Sequence, residues 1–385
     1  MYPNLSYLLH ALFGTQPDNF LSVVQTFGLF LGLSILIAAY ILRTELKRKG
    51  DLGLFKPTVK TVLPNNNFNL LDHIVNGAIL GFIGMKAALL SEKHPSNIKT
   101  SDLILSMGGN WIIFFGVLAL FIGISYFLWY RKKDSFSTDP VTLEIWPHDR
   151  IGDITMIAAI SGVVGSKLFS LFEDFRGFLQ DPVGQFFSGS GLNIYGGLIT
   201  GFIAVAYYIR KHNISILHVM DAIAPALIFS YGTGRLGCQL SGDGDWGIVN
   251  TSAAPSWWFL PQSWWSSTYP HNVLNEGVAI PGCTWEHCMQ LAQPVYPTPI
   301  YEIFMAFAIF GILMALRGYI KAPGMIFSIY MVLNGIERWF IEKIRVNDKY
   351  DFFGAQLSQA EFIALIYIGL GILLTWYFWK QSKAK

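Results

Sequence analysis

The chain has 385 residues, of which 52% are apolar, 15% aromatic and only 14% charged, with a formal net charge of +2. So little polar surface could not cover a water-soluble domain of this length, which excludes a soluble globular protein and points to a polytopic membrane protein. The basic residues sit in short clusters between apolar runs and form no continuous stripe, which excludes nucleic acid as a partner.

Residues 1–19 carry no basic stretch and no small-residue cleavage site, so no removable signal peptide is expected. Nine runs of roughly 18 to 23 mostly apolar residues follow, each long enough for about 30 Å of hydrocarbon. They are Phe20 to Leu42, Leu70 to Leu90, Trp111 to Tyr130, Ile151 to Phe172, Leu192 to Ile209, Ile214 to Thr233, Pro299 to Leu316, Pro323 to Phe340 and Ala360 to Trp379. Basic clusters close every odd-numbered run: Arg43, Lys47, Arg48 and Lys49; Arg131, Lys132 and Lys133; Arg210 and Lys211; Arg317 and Lys321; Lys380, Lys383 and Lys385. By the positive-inside rule those ends are cytoplasmic. The expected fold is an all-α polytopic membrane protein of about nine transmembrane helices, N-terminus outside and C-terminus inside, with an external loop or cap.

The second and fourth runs align without a gap, DHIVNGAILGFIGMKAALLSE from Asp72 and DITMIAAISGVVGSKLFSLFE from Asp153. Gly81 and Gly84 match Gly162 and Gly165, and Lys86 matches Lys167, so a two-helix module is duplicated in the first 174 residues. Small residues three apart permit close helix approach. Lys86 and Lys167 either reach into a site or extend to the membrane interface. Residues 174–190 are amphipathic, with Phe175, Phe178, Leu179, Phe186 and Phe187, and are expected to lie on the outer membrane surface.

The sixth run leads into YGTGRLGCQLSGDGDWG, Tyr231 to Gly247, where glycines, an arginine and two aspartates crowd together. Glycines allow close backbone approach and Arg235 offers a rigid charged fork suited to a phosphate. The loop that follows, to Thr298, holds no Lys or Arg, which fits an external face. Its Cys283 and Cys288 either close a small disulfide or contribute with His287 to a metal site; Cys238 is then a lone thiol. Its Trp257, Trp258, Trp264 and Trp265 suit either headgroup contact or a packed cap.

Ionisable groups within or at the mouths of spans are costly and therefore functional candidates: Lys167, Asp221, Arg235, Asp243, Asp245, Glu302, Glu337, Arg338 and Glu342. Topology brings Arg235, Arg338, Tyr195, Gly196, Gly197, Tyr301 and Glu302 to one membrane face, as a cationic, glycine-lined cup; ordinary interhelical ion pairs are the alternative for the two arginines. Asp221, at the other end of its run, suits helix packing or capping. Arg345, Lys343 and Lys349 depart from the positive-inside trend and are second-rank candidates for contact with anionic lipid.

These segments resemble the prolipoprotein diacylglyceryl transferases. The family signature, approximately G-R-x-G-N-F-x-N-x-E-x-x-G, is similar to GRLGCQLSGDGDWG at Gly234 to Gly247, and YGGLITG at Tyr195, YPTPIYE at Tyr296 and GIERWFIEKIRVND at Gly335 follow the family's order. The resemblance implies transfer of a diacylglyceryl group from phosphatidylglycerol to the lipobox cysteine thiol of a prolipoprotein, with release of glycerol phosphate, at the outer face of the bacterial inner membrane. It implies no metal and no soluble cofactor. Carried over by motif, Arg235 and Arg338 hold the lipid phosphate, Glu302 and Asp243 organise them, and Tyr195 takes the place of the family's usual histidine. Gly196, Gly197, Lys167, Gly234, Gly237, Cys238, Ser241, Asp245, Tyr301 and Glu342 are the implied substrate-binding positions. Cys238 and Ser241 stand where the signature has asparagines, an aspartate replaces its glutamate, and Lys167 replaces an arginine. The family's usual seven spans become nine through the duplication. Residues 1–110 then hold the external N-terminal segment and the first module copy, and 111–385 the second copy and transferase core with the Trp-rich loop 236–298; contiguity favours the second copy as the one lining the site. Two other readings stand beside this one, a transporter or channel, which would set charges near the midplane of both halves, and a catalytically lapsed homologue.

Overall fold

The structure is a computed structural model that describes residues 1–62, 68–92, 109–132, 140–187, 193–352 and 354–383. Lys133, Leu192, Lys385 and the end of the 174–190 segment fall outside the described residues. In chain order the elements are α1 (Leu5–Phe13), α2 (Thr26–Asp51), β1 (Thr58–Val62), α3 (Leu70–Glu92), α4 (Trp111–Lys132), β2 (Val141–Ile145), α5 (Ile151–Glu173), α6 (Phe175–Gln180), α7 (Pro182–Phe187), α8 (Ile194–Lys211) and α9 (Ile216–Ser241). They continue as β3 (Val278–Ala279), β4 (Met289–Gln290), α10 (Thr298–Leu316), α11 (Met325–Glu342), β5 (Lys349–Phe352), β6 (Ala355–Ser358) and α12 (Gln359–Lys383). Each of the nine expected apolar runs overlaps one helix, and among the described residues six helices are long and apolar enough to cross a membrane.

The boundaries differ where side chains intervene. Asn19 accepts a hydrogen bond from Leu21 N at 2.9 Å, so the first run opens as a short 3-10 turn, Phe20–Val23, and the helix starts only at Thr26. It then continues past Leu42 to Asp51 because its polar end is held by ion pairs, Glu45 with Arg48 and Arg317, and Lys49 with Asp221. The strands, absent from the all-α expectation, form three antiparallel two-stranded sheets among the described residues, β1 with β2, β3 with β4 and β5 with β6.

The chain divides into two compact units. The first contains Met1–Lys56, Pro147–Thr155 and Tyr208–Lys385. Here α9 is the central helix. Ala224 and Ile228 of α9, Ala306, Ile309 and Leu313 of α10, and Ile326 of α11 form its buried core. At Gly232 an added Cβ would stand 3.1 Å from the Ala306 Cβ, so the glycine sets the approach of α10. Helix α2 runs antiparallel to α9: Phe27 and Phe30 meet Gly237 near one end, and Lys49 meets Asp221 near the other. Asp221 also accepts from Gly324 N at 2.8 Å and Phe327 N at 3.1 Å, capping α11 from a neighbouring helix, which fulfils the capping role expected of it. Helix α12 lies against α11, where the Thr375 hydroxyl donates to Ser328 Oγ at 2.9 Å.

A cap covers the α9 C-terminal end of this unit. Tyr7 of α1 is buried edge-on to Trp285 and His287, and its hydroxyl accepts from His287 N at 3.0 Å. Cys283 and Cys288 form a disulfide there, which settles the open choice at those residues. The tryptophan loop is largely packed: Trp258 and Trp265 meet edge to face, Trp264 lies on Phe304 of α10, and the Trp265 indole donates to Ser252 O at 3.1 Å. Only Trp257 among these four indoles is strongly exposed.

The second unit comprises Pro57–Trp146 and Met156–Tyr207. Glycines set close helix contacts around both module copies. A Cβ at Gly81 of α3 would fall 2.6 Å from Phe114 O of α4, and one at Gly197 of α8 would fall 2.9 Å from Gly162 O of α5. Lys86 and Lys167 are 5% and 8% exposed. Phe175, Leu179 and Phe186 of α6 and α7 are exposed, as an amphipathic surface segment requires.

Candidate active site

The signature residues lie at the C-terminal end of α9. Tyr231 and Arg235 are four residues apart on one helical face, and the guanidinium stands 5.1 Å over the tyrosine ring. Gly242, in the left-handed region at φ 65°, ends the helix and turns the chain back so that Asp245 meets the arginine it follows by ten residues. Helix α10 supplies Glu302 and α11 supplies Arg338, while Arg345 arrives on the segment after α11, fixed by its bridge to Gly247.

Glu302 is the hub. It is fully buried, with Arg235 Nε at 3.1 Å, Arg338 at 3.5 Å and Arg345 at 3.7 Å. The Tyr231 hydroxyl donates to Glu302 at 2.9 Å and also lies 3.3 Å from Glu337. Asp245 bridges Arg235 and Arg345, the latter at 2.5 Å. Glu342 pairs with Arg338 at 2.9 Å and accepts from the Ser358 hydroxyl at 2.8 Å. Three guanidinia are thereby held side by side without repelling one another apart. Burying so many charges costs several kcal/mol per ion, which only such mutual pairing offsets.

Two aspartates on the turn differ in acidity. Burial pushes the Asp243 carboxyl above the ordinary carboxylate range, and the neighbouring charge of Asp245 adds to this. Burial alone would raise Asp245 as well, but Arg235 and Arg345 outweigh it and hold Asp245 below that range. Among the described residues Asp243 Oδ1 is buried and receives no hydrogen bond. Cys238, Asp243 and Asp245 place ligand-type atoms within 4.8 Å of one another. The Arg235 guanidinium already occupies that corner, 3.8 Å from the Cys238 sulfur and paired with Asp245, so the set fits an organic cation better than a metal ion.

The structure thus brings together Arg235, Arg338, Glu302, Asp243, Asp245, Cys238 and Glu342 of the expected residues. Gly234 faces open space beside Arg235, whereas Gly237 has Phe30 at 2.9 Å from its would-be Cβ and serves helix contact. This places the first helix of the first module copy directly against the signature helix. Ser241 is fully buried with its hydroxyl donating to Gly237 O at 2.8 Å, which ties up its side chain in the helix end. Tyr301 donates to Trp265 O at 3.4 Å and so holds the cap. Tyr195, Gly196, Gly197 and Lys167 belong to the second unit, where Gly196 and Gly197 press α8 onto α5. Tyr231, Glu337 and the second-rank Arg345 are full members of the cluster. The signals for them were modest: Tyr231 lies one turn before Arg235, and Arg345 lies seven residues after Arg338, past the end of α11.

Fold and site together describe a polytopic membrane protein with a guanidinium-rich site at one end of its helix bundle. The profile of the prolipoprotein diacylglyceryl transferase family matches residues 102–377. The chain belongs to that family, and it is a transferase of lipoprotein biosynthesis. It is similar to the phosphatidylglycerol--prolipoprotein diacylglyceryl transferase 2 of Clostridium perfringens, 29% identical over 59% of this chain and 78% of the relative. It is likewise similar to the phosphatidylglycerol--prolipoprotein diacylglyceryl transferases of Dehalococcoides mccartyi, 26% identical over 70% of this chain and 87% of the relative, and of Chlorobaculum tepidum, 28% identical over 70% and 89%.

Proposed function

We propose that this chain moves a diacylglyceryl group from phosphatidylglycerol to the lipobox cysteine thiol of prolipoproteins, at the periplasmic face of a bacterial inner membrane that it crosses nine times. The observation that carries this reading is the convergence of Arg235, Arg338 and Arg345 on the buried Glu302. Their remaining N–H donors form a preorganised cradle for a phosphate diester. The substrate thiolate attacks the glycerol carbon that bears the phosphate; a C–S bond forms, the C–O bond breaks, and the guanidinia take up the charge that develops on departing glycerol phosphate. Asp243, raised in pKa and with a free buried oxygen, is placed to take the thiol proton, the role that Tyr195 fills poorly because a phenol is a weak base near neutral pH. In the first unit the ion pairs lie at the helix ends, the guanidinium cluster at one of them, and not at the middle, which favours an enzyme over a transporter. Complementation of cells depleted of their own transferase, with labelled phosphatidylglycerol followed into a precursor lipoprotein, tests the reading. Well-inserted protein that transfers no label refutes it.

A further inference from the structure

The opposite end of the first unit carries a second cationic feature. Four basic residues close α2: Arg43, Lys47, Arg48 and Lys49. Two of them are neutralised by protein acids, Arg48 by Glu45 at 2.9 Å and Lys49 by Asp221 at 3.5 Å. Arg43 and Lys47 are exposed and have no acidic partner among the described residues. These are the two that line a cavity of about 430 Å³, together with Tyr40, Thr44 and His148 of the 3-10 turn Pro147–Arg150. The acid of that turn, Asp149, stands 3.6 Å from His148.

The lining has helical order. Tyr40, Arg43, Thr44 and Lys47 follow the spacing that puts residues on one helical face. The same face continues toward the middle of α2 through Leu36 and Leu33, which are exposed, as is Tyr40 at 72%. A strip that passes from leucines to a tyrosine and then to hydroxyl, guanidinium and ammonium groups reproduces, in order, the acyl chain, interface and phosphate of an anionic lipid. Basic residues that merely extended into water would not need to line a cavity with Tyr40, Thr44 and His148. Arg43 and Lys47 lie about 20 Å along the bundle from Arg235, so this is not the transferase site.

We propose that this cavity binds the phosphate headgroup of an anionic phospholipid, with an acyl chain along Tyr40, Leu36 and Leu33, in the leaflet opposite the Arg235 site. Arg43 and Lys47 hold the phosphate, and the Tyr40 and Thr44 hydroxyls complete its shell. The test uses the whole protein in nanodiscs containing a trace of phosphatidylglycerol with a photoreactive acyl chain, followed by mapping of the labelled peptides. Wild type should label within residues 33–47. The double variant Arg43→Ala, Lys47→Ala should label that segment about 30-fold less, the loss expected for two basic groups at a membrane surface. Thr44→Trp, which keeps both charges but fills the cavity, should lose the label too, and unchanged labelling elsewhere in the chain reports that each variant is folded. Undiminished α2 labelling in both variants overturns the proposal. So does equal labelling by a zwitterionic probe, or loss of label on adding millimolar glycerol phosphate, which would make the ligand a soluble phosphate ester and not a lipid.

Discussion

Arg235→Lys separates the geometry of the guanidinium from its charge. Arg235 uses Nε for Glu302 at 3.1 Å and Nη1 for Asp245 and the Cys238 sulfur, with the ring of Tyr231 beneath it. A lysine ammonium is one point charge, which can satisfy a carboxylate or a phosphate oxygen but cannot hold both acids while presenting a planar fork to the substrate. The net charge of the cluster is unchanged, so the folded state should be little affected. What is lost is about one charge-assisted hydrogen bond to the departing phosphate, roughly 1.5–3 kcal/mol, or about 10- to 160-fold in kcat/KM. The assay is transfer from labelled phosphatidylglycerol to a synthetic lipobox peptide in detergent micelles, with the thermal midpoint measured on the same preparation. A variant within twofold of wild type would show that Arg235 supplies only charge and would remove the fork from the mechanism. A large drop in thermal midpoint would show that its role is structural.

Other perturbations follow from the same contacts. Glu302→Gln leaves three guanidinia facing a neutral amide and should lower stability by about 3–5 kcal/mol, read as a reduced thermal midpoint; an unchanged midpoint contradicts the hub. Asp243 keeps its proton to a higher pH than an ordinary carboxyl, so its base form, and activity with it, should appear as pH rises through that raised pKa; Asp243→Asn should abolish this acid limb, and a variant with the wild-type profile excludes Asp243 as the base. Asp245 has the opposite sign: its depressed pKa contributes stability that is present above the unfolded value and lost as pH falls through the folded one, so Asp245→Asn should flatten the acid side of the stability curve. Cys288→Ser opens a loop closed by residues five apart and should cost about 2 kcal/mol in the cap, checked by thermal unfolding against the same variant of Cys283.

The helices were legible because an apolar run of membrane length has few alternatives to a helix. Their ends were not, since Asn19 and the Glu45, Lys49 and Asp221 pairs decide them through contacts between distant parts of the chain. The hairpins were invisible for a related reason: β3 and β4 have two residues each and exist only because the disulfide-bearing loop folds back on itself. At the site, residue types and motif order singled out Arg235, Arg338, Glu302 and Asp245. The arrangement around Glu302 was hidden, because its partners come from α9, α11 and the segment beyond, dozens of residues away. Glycines were the least readable. Gly196, Gly197 and Gly237 look alike in a signature whether they admit a ligand or a neighbouring helix, and here their missing Cβ atoms admit helices.

The hub has a consequence for turnover. Arg235, Arg338 and Arg345 directly contact the carboxylates of Glu302, Asp245 and Glu342, so these groups are electrically balanced before any substrate arrives. A phosphate is then retained by aimed hydrogen bonds and not by a strong net field. Such a site binds with little dependence on ionic strength, and it releases a doubly charged product far more readily than an unneutralised cluster of arginines would.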